Sequence, residues 1–293
     1  MNIFVFGGTG FIGQQVCKDL EKHKFDFVVV RIFSDILYES NQKSFNELKT
    51  EIQSKKLNSV KAPNIIINLA HAQPYRFGKS ASTNRFITEK IVSFGRTLGN
   101  CTILHATSEA QYLSGKKMIG LEDTYLAEKR ESLKILQKSG LRVSELSISS
   151  VISNSYNSKS GIDAKLKTYI NSKSPYLFVP DIYIRIETSE EISSKVIYFL
   201  KTFQSDLPER ILSNAPVFPL QQLVKLLVPQ KRVFKIGMSF LFLISFLGSS
   251  LIFLTQFYTI LNYERISYYK KLVPFHCKNK SIGRIRFIHD YFS

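Results

Sequence analysis

The sequence predicts an α/β fold: a doubly wound parallel sheet with a small C-terminal substrate lobe and an apolar helical segment near the C-terminus. Three observations predict it. Short β-rich runs alternate with stretches of helical apolar spacing from residue 2 to about 150, the pattern of βαβ units. The first of these runs ends directly in a glycine-rich loop that opens a helix. Beyond about residue 150 the alternation loosens, and residues 236–261 then carry no charge at all.

Each element follows from its residues. Asn2 to Phe6 is a short apolar strand. Ile12, Val16 and Leu20 repeat at helical spacing, so Ile12 to His23 is a helix. Phe25 to Ile32 is the second strand, and Ser44 to Leu57 is polar and helix-permissive. Ile65 to Ala70 and Thr102 to Ala106 are strands with the helix Thr83 to Leu98 between them. Asp123 to Ser139 is a helix stopped at Gly140, and Leu141 to Ile148 is a further strand. Ser153 to Ser160 is a Ser- and Asn-rich loop. Tyr176 to Ile186 is strand-like, and Glu190 to Thr202 and Leu220 to Leu227 are helical. The expected organisation is a nucleotide-binding domain over 1–150, a substrate lobe interleaved with the sheet over 151–235, the apolar segment 236–262 and a basic tail 263–293.

Composition narrows the class. The chain has 293 residues, is 44% hydrophobic and carries a net charge of +17, enough apolar surface for a core and enough charge to attract an anionic partner. A lysine-rich soluble surface explains the charge equally well. Cys17, Cys101 and Cys277 are far apart and odd in number, which argues against disulfides and against a metal site and fits a cytoplasmic setting. The apolar N-terminus reads as a buried strand and lacks the positive start of a signal peptide. No RNA-binding motif accompanies the basic tail, so no nucleic-acid partner is expected. Three readings stand for residues 236–261: a membrane span, attachment to a membrane surface, or a pair of buried helices broken near Gly248. Basic residues flank both ends, so orientation stays open.

The loop Gly7-Gly8-Thr9-Gly10-Phe11-Ile12-Gly13 sits between a strand and a helix. Glycine permits the tight turn, close approach of a pyrophosphate and close packing of helix on strand. The helix start then offers free N–H groups and a positive dipole end to phosphates. A Rossmann domain binding a nicotinamide dinucleotide is the expectation. An acidic residue at the end of the second strand favours NAD; this chain has Arg31 there, which tilts the expectation to NADP, with NAD as the alternative.

Tyr125 and Lys129 stand four apart on one helix face. A nearby ammonium lowers a phenol's pKa and suits it to proton transfer. By itself such a pair also occurs as surface decoration. Ser108 follows a strand and has the chemistry to hydrogen-bond a carbonyl or alkoxide.

Four stretches in order resemble the extended short-chain dehydrogenases/reductases, the NAD(P)-dependent epimerase/dehydratase family. They are the glycine loop 7–13, Asn68-Leu69-Ala70-His71, Thr107-Ser108-Glu109-Ala110-Gln111-Tyr112, and Tyr125 to Lys129. Asn84 and Thr88 also match a helix where the family often has Asn and Thr four apart. The resemblance implies that Tyr125 is the general acid/base, that Lys129 holds the nicotinamide ribose and tunes Tyr125, and that Ser108 orients the substrate oxygen. Gly7, Thr9, Gly10, Phe11, Ile12, Gly13, Arg31, Leu69 and Ala70 would border the cofactor with Tyr125 and Lys129. Hydride would pass between the nicotinamide and a carbon of a nucleotide-linked sugar.

Departures shape the expectation. The Arg-Pro-x-x-x-Tyr-Gly-Pro stretch usual after the sixth strand is replaced by residues running from Leu146 to Ser153. Ala110 stands where the 4,6-dehydratases carry their second acid, so dehydration is the least expected reaction. His71 replaces a small residue and is read either as a substrate contact or second acid/base, or as a locally packed histidine. Glu109 is read as an acid or as a solvated loop carboxylate. The expected function is a sugar-nucleotide epimerase or ketoreductase of surface polysaccharide synthesis, compatible with a homodimer and with attachment to the inner face of a membrane through 236–262. The alternative is a cofactor-binding accessory or assembly protein of a membrane complex.

Overall fold

The computed structural model describes residues 1–33, 42–53, 63–72, 80–109, 124–152, 166, 169–181, 183–203, 208–213, 215 and 217–237. By its internal contacts the chain forms two units. The first comprises Met1–Gln111, Thr124–Ile148 and Ser189–Ser213; the second comprises Tyr112–Asp123, Ser149–Thr188 and Asn214–Ser293.

The first unit is built on a parallel sheet. Its strands are β1 (Asn2–Phe6), β2 (Phe27–Arg31), β3 (Gln42–Ser44), β4 (Asn64–Asn68), β5 (Cys101–Ser108), β6 (Arg142–Ile148) and β10 (Arg210–Ile211). They lie in the order β10-β6-β5-β4-β1-β2-β3, every neighbouring pair parallel. The chain winds outward from β1 in one direction to β3 and from β4 in the other, so the topological switch lies between β1 and β4. Ligands of open α/β sheets bind outside the strand ends at that point. The register sets Val5 beside Val29 on one side and Ile67 on the other. Both faces of the sheet are covered, which is why its central strands are continuous apolar runs: Ile65, Ile66 and Ile67 are all fully buried.

Helices α1 (Phe11–Lys22), α2 (Phe45–Gln53), α3 (Ser80–Leu98), α4 (Thr124–Gln137) and α5 (Ser189–Lys201) complete this unit. Helix α1 packs against α5, and α3 packs against α4 and α2. Phe94 of α3 is the centre of the core, with its ring 5.2 Å from Phe4, 5.6 Å from Phe6 and 5.8 Å from Phe45. Phe94→Ala is expected to destabilise the chain by about 3–5 kcal/mol, as a lost transfer term plus a cavity that three rings cannot refill. Urea unfolding followed by circular dichroism checks this; a loss under 1 kcal/mol would mean that the core collapses onto the gap.

The second unit holds β7 (Ser150–Ile152), β8 (Tyr176–Pro180), β9 (Tyr183–Thr188), β11 (Val217–Pro219), α6 (Leu220–Leu227) and β12 (Arg232–Ile236). A three-stranded sheet has the order β11-β9-β7, and β12 pairs with β8. Ser149 is anchored by Glu187, whose Oε2 accepts from its N–H at 3.0 Å and its Oγ at 2.9 Å.

The structure corrects the sequence reading in two places. Tyr176 to Ile186 is two strands in separate sheets: the first, β8, runs beside β12 to Pro180, and Asp181 N–H closes that pairing on Ile236 O at 3.0 Å. Ile236, read as the start of the apolar helical segment, is the last residue of strand β12. Residues 238–262 of that segment, the basic tail, Ala110, Tyr112 and the loop 153–160 lie outside the described residues. Among the described residues no helix is long and apolar enough to cross a membrane.

Candidate active site

The glycine loop leaves β1 and turns into α1 at the switch point. Gly7 has φ +81°, and a Cβ on it would lie 2.6 Å from the Ala70 nitrogen, so this turn and this approach demand glycine. A Cβ on Gly13 would lie 2.0 Å from the Gly7 carbonyl oxygen. That contact seats the first turn of α1 directly on the loop, which the Gly10 N–H closes by donating to Gly7 O at 2.9 Å. Thr9 and Gly10 are exposed, and Phe11 and Ile12 are half-buried. Gly10 is the N-cap and gives the helix no side-chain cap, and the first turn holds no acidic residue. Uncapped N–H groups at a positive dipole end, reached over glycine, fit a pyrophosphate.

The end of β4 borders this loop. Leu69 N–H donates to Phe6 O at 2.9 Å, and Ala70 N–H donates to the Asn68 side chain at 3.1 Å. Asn84 of α3 then clamps the backbone of Ala72 from both sides: its Oδ1 accepts from Ala72 N at 2.7 Å and its Nδ2 donates to Ala72 O at 2.9 Å. His71 is held between these two anchors. Burial first, then the Lys129 ammonium and His105, lowers its pKa to about 2, so it is neutral. A phosphate at His71 would meet an uncharged ring.

Tyr125 enters from the first turn of α4, and its ring meets His71 edge to face, with centroids 5.2 Å apart and planes at 86°. Lys129, one turn on, is buried, and its Nζ donates to Ala106 O at 3.0 Å, two residues before Ser108 at the end of β5. An ammonium has three hydrogens, so this bond leaves two. The i, i+4 spacing and the β5 anchor therefore bring the helix turn of Tyr125 and Lys129 against β5, the strand that ends at Ser108. Glu109 follows Ser108 and is half-buried.

Burial pushes Lys129 down from 10.5 to about 8. Below pH 8 the folded state carries a buried charge that the unfolded chain solvates, a cost of about 3 kcal/mol. Between pH 8 and 10.5 the folded state sheds its proton first and the cost fades. Lys129→Met is expected to melt at a higher temperature than the parent at pH 7, and to lose that advantage by pH 10.5. Thermal unfolding at both pH values checks it, and equal advantages at both would overturn it.

Sequence reasoning missed Glu128, which is buried at 4% exposure and accepts from Asn84 Nδ2 at 2.6 Å. It also missed His105, whose Nδ1 accepts from Asn68 at 2.9 Å. A faint signal existed: Asn84 and Thr88 on α3 face Glu128 and Ser132 on α4, each pair four apart, and Thr88 Oγ1 lies 3.1 Å from Ser132 Oγ. Arg31, expected to face the cofactor's ribose, donates through Nη1 to Gln42 Oε1 on β3 at 3.2 Å.

Comparison with known proteins agrees with this fold. The family model described as the NAD dependent epimerase/dehydratase family matches residues 3–180. No curated protein matches the sequence significantly. Among solved structures the chain resembles the Bordetella bronchiseptica enzyme WbmH in complex with NAD+, at 12% identity over 80% of this chain and 85% of that one, with a TM-score of 0.60. It also resembles the Thermus thermophilus UDP-glucose 4-epimerase in complex with NAD, at 14% identity over 81% and 86%, with a TM-score of 0.57. A third is the Bacillus anthracis dTDP-glucose 4,6-dehydratase in complex with NAD, at 13% identity over 81% and 84%, with a TM-score of 0.59. At these identities the likeness establishes the fold.

Proposed function

Because the chain belongs to the NAD dependent epimerase/dehydratase family, we propose that it is an NAD(P)-dependent epimerase or ketoreductase acting on a nucleotide-linked sugar. The observation that carries the reading is the bond from Lys129 Nζ, one helix turn after Tyr125, to Ala106 O at 3.0 Å, two residues before Ser108 on β5. The glycine loop and the start of α1 bind the cofactor phosphates, and Leu69 and Ala70 line the same edge. When bound, the nicotinamide supplies or accepts the hydride. Ser108 donates a hydrogen bond to the sugar oxygen and orients it. Tyr125 takes the proton from that oxygen or returns it. The Lys129 ammonium, still charged below about pH 8, favours the phenolate and donates its remaining hydrogens to the ribose. Ala110, where 4,6-dehydratases of the family carry an acid, supports epimerisation or reduction over dehydration.

NAD is the family's cofactor, and Arg31 is the argument for NADP. If Arg31 reads a 2′-phosphate, Arg31→Ala weakens NADPH binding by about 10-fold and leaves NADH binding unchanged. Calorimetry with both cofactors decides this, and equal effects on the two would assign the chain to NAD. The uncharged run 236–261 supports a membrane-proximal setting, such as surface polysaccharide synthesis.

The function is tested by incubating the full chain with NAD+, NADH or NADPH and a panel of UDP- and dTDP-linked hexoses and their keto forms. Products are read by NMR, so a redox-neutral epimerisation is also seen. Intact NAD+ binding with no product from any sugar would favour the accessory reading, which the altered stretch from Leu146 to Ser153 supports.

A further inference from the structure

The strand pair β8 and β12 has one buried face and one open face. Leu177 and Val179 of β8 and Val233 of β12 pack with Leu223 and Val224 of α6 in one cluster. Strand alternation sends Tyr176 and Phe178 to the other face. The parallel register sets Arg232 beside Tyr176 there, and Phe234 beside Phe178. Tyr176 is 47% exposed, Phe178 62% and Phe234 46%. The three rings form one strip: Phe234 lies 5.8 Å from Phe178, with the planes at 28°, and 6.1 Å from Tyr176. A single exposed aromatic is ordinary, but three in mutual contact make a patch.

The surroundings of the strip select its partner. Lys231 and Arg232 precede Phe234 and Lys235 follows it, against one acid, Asp181, whose Oδ1 lies 3.4 Å from Lys235 Nζ. The strand ends at Ile236, and residues 236–261 carry no charge. Cations and aromatics ahead of an uncharged apolar stretch match what a bilayer offers in turn: anionic headgroups, an interface that favours aromatic rings, and hydrocarbon. A second copy fits less well. Three half-exposed rings offer about 300 Å², well short of the ~800 Å² that each partner of a stable dimer buries. A nucleic acid would use the rings and the cations but not the uncharged stretch beside them.

We propose that the Tyr176, Phe178 and Phe234 face of β8 and β12 is a membrane-docking surface, which seats its rings among the headgroups of an anionic lipid layer with Arg232 toward the lipid phosphates. The docking role rests on the membrane-proximal setting of residues 236–261; the lipid contact itself falls to a folded sheet face.

The chain has no tryptophan, so Phe178→Trp puts a single indole reporter on the strip of the full chain. Tyr176→Trp is a second position for the same measurement, and circular dichroism compares the fold of each variant with the parent's. The protein is mixed with phosphatidylcholine vesicles with and without phosphatidylglycerol, and flotation and indole emission are read together. The expected result is flotation with the anionic vesicles, a blue shift of the emission and quenching by brominated lipid. Arg232→Gln is expected to weaken partition into the anionic vesicles about 5-fold and to leave the neutral ones unchanged. An unshifted indole on a chain that floats would overturn the docking face and leave the setting of 236–261 standing. Absence of flotation in the parent and the variants would remove both. An indole already blue-shifted and shielded from acrylamide before lipid is added would overturn the proposal in favour of cover by the chain itself or by a second copy, which size-exclusion chromatography separates. So would a shift produced by a single-stranded oligonucleotide and not by vesicles.

Discussion

Tyr125→Phe is expected to lower turnover of a nucleotide sugar by about 10²- to 10⁴-fold while the chain stays folded and binds NAD+ as before. The substitution removes one oxygen and keeps the ring. The ring is what packs: its edge-to-face contact with His71, at 5.2 Å between centroids, survives in phenylalanine. The Lys129 bond to Ala106 O also survives, because it is made to the backbone of β5. The change therefore removes the proton-transferring oxygen and keeps the ring contact, so the effect falls on kcat more than on KM. NMR-detected conversion of the best substrate of the panel measures it, with NAD+ calorimetry as the folding control. Full turnover by Tyr125→Phe would sink the assignment of Tyr125 as acid/base.

Gly13→Ala is expected to weaken NAD+ binding by roughly 100-fold or more and to lower the melting temperature. The added Cβ would sit 2.0 Å from Gly7 O and 2.7 Å from Gly8 Cα. Both are backbone atoms of the loop itself, so no side chain can rotate out of the way. Helix α1 must retreat from β1, and its N–H groups move with it. Overpacking of this kind typically costs 1–3 kcal/mol or more, and a displacement of about 1 Å at a binding site is worth about two decades. Gly10→Ala is the control. Its Cβ would meet only Gly7 O, at 3.1 Å, and its backbone is ordinary extended chain, so a milder loss is expected. Calorimetry and thermal melts compare the two. Parent-like affinity in Gly13→Ala would falsify the role given to the loop.

Much of the first unit was legible in the sequence because its signals are local. The run Asn2 to Phe6 and the glycines that follow announce a strand, a turn and a helix within a dozen residues, and the structure places β1, the loop and α1 there. The strands under two layers of helix read as apolar runs, and the helices as periodic ones. Tyr125 and Lys129 were legible for the same reason, since four residues on a helix always share a face. The second unit was harder. Its strands β7 and β11 are three residues each, too short for any period to show. Tyr176 to Ile186 has one continuous β composition, and nothing local marks that its two halves pair with different partners, β8 with β12 and β9 with β11 and β7.

The sequence by itself determined the glycine loop and the parallel sheet, which rest on periodicity and glycine sterics acting within a few residues of one another; the candidate set Ser108, Tyr125 and Lys129 came from the resemblance of ordered motifs to a family. Only the tertiary structure decided that Glu128 and Asn84, 44 positions apart, meet at 2.6 Å, that His71 is a neutral ring held between them and Tyr125, and that Arg31 engages Gln42. Burial and hydrogen-bond partners come from elements that the chain brings together across the fold, and the ionisation of a side chain is set by those neighbours.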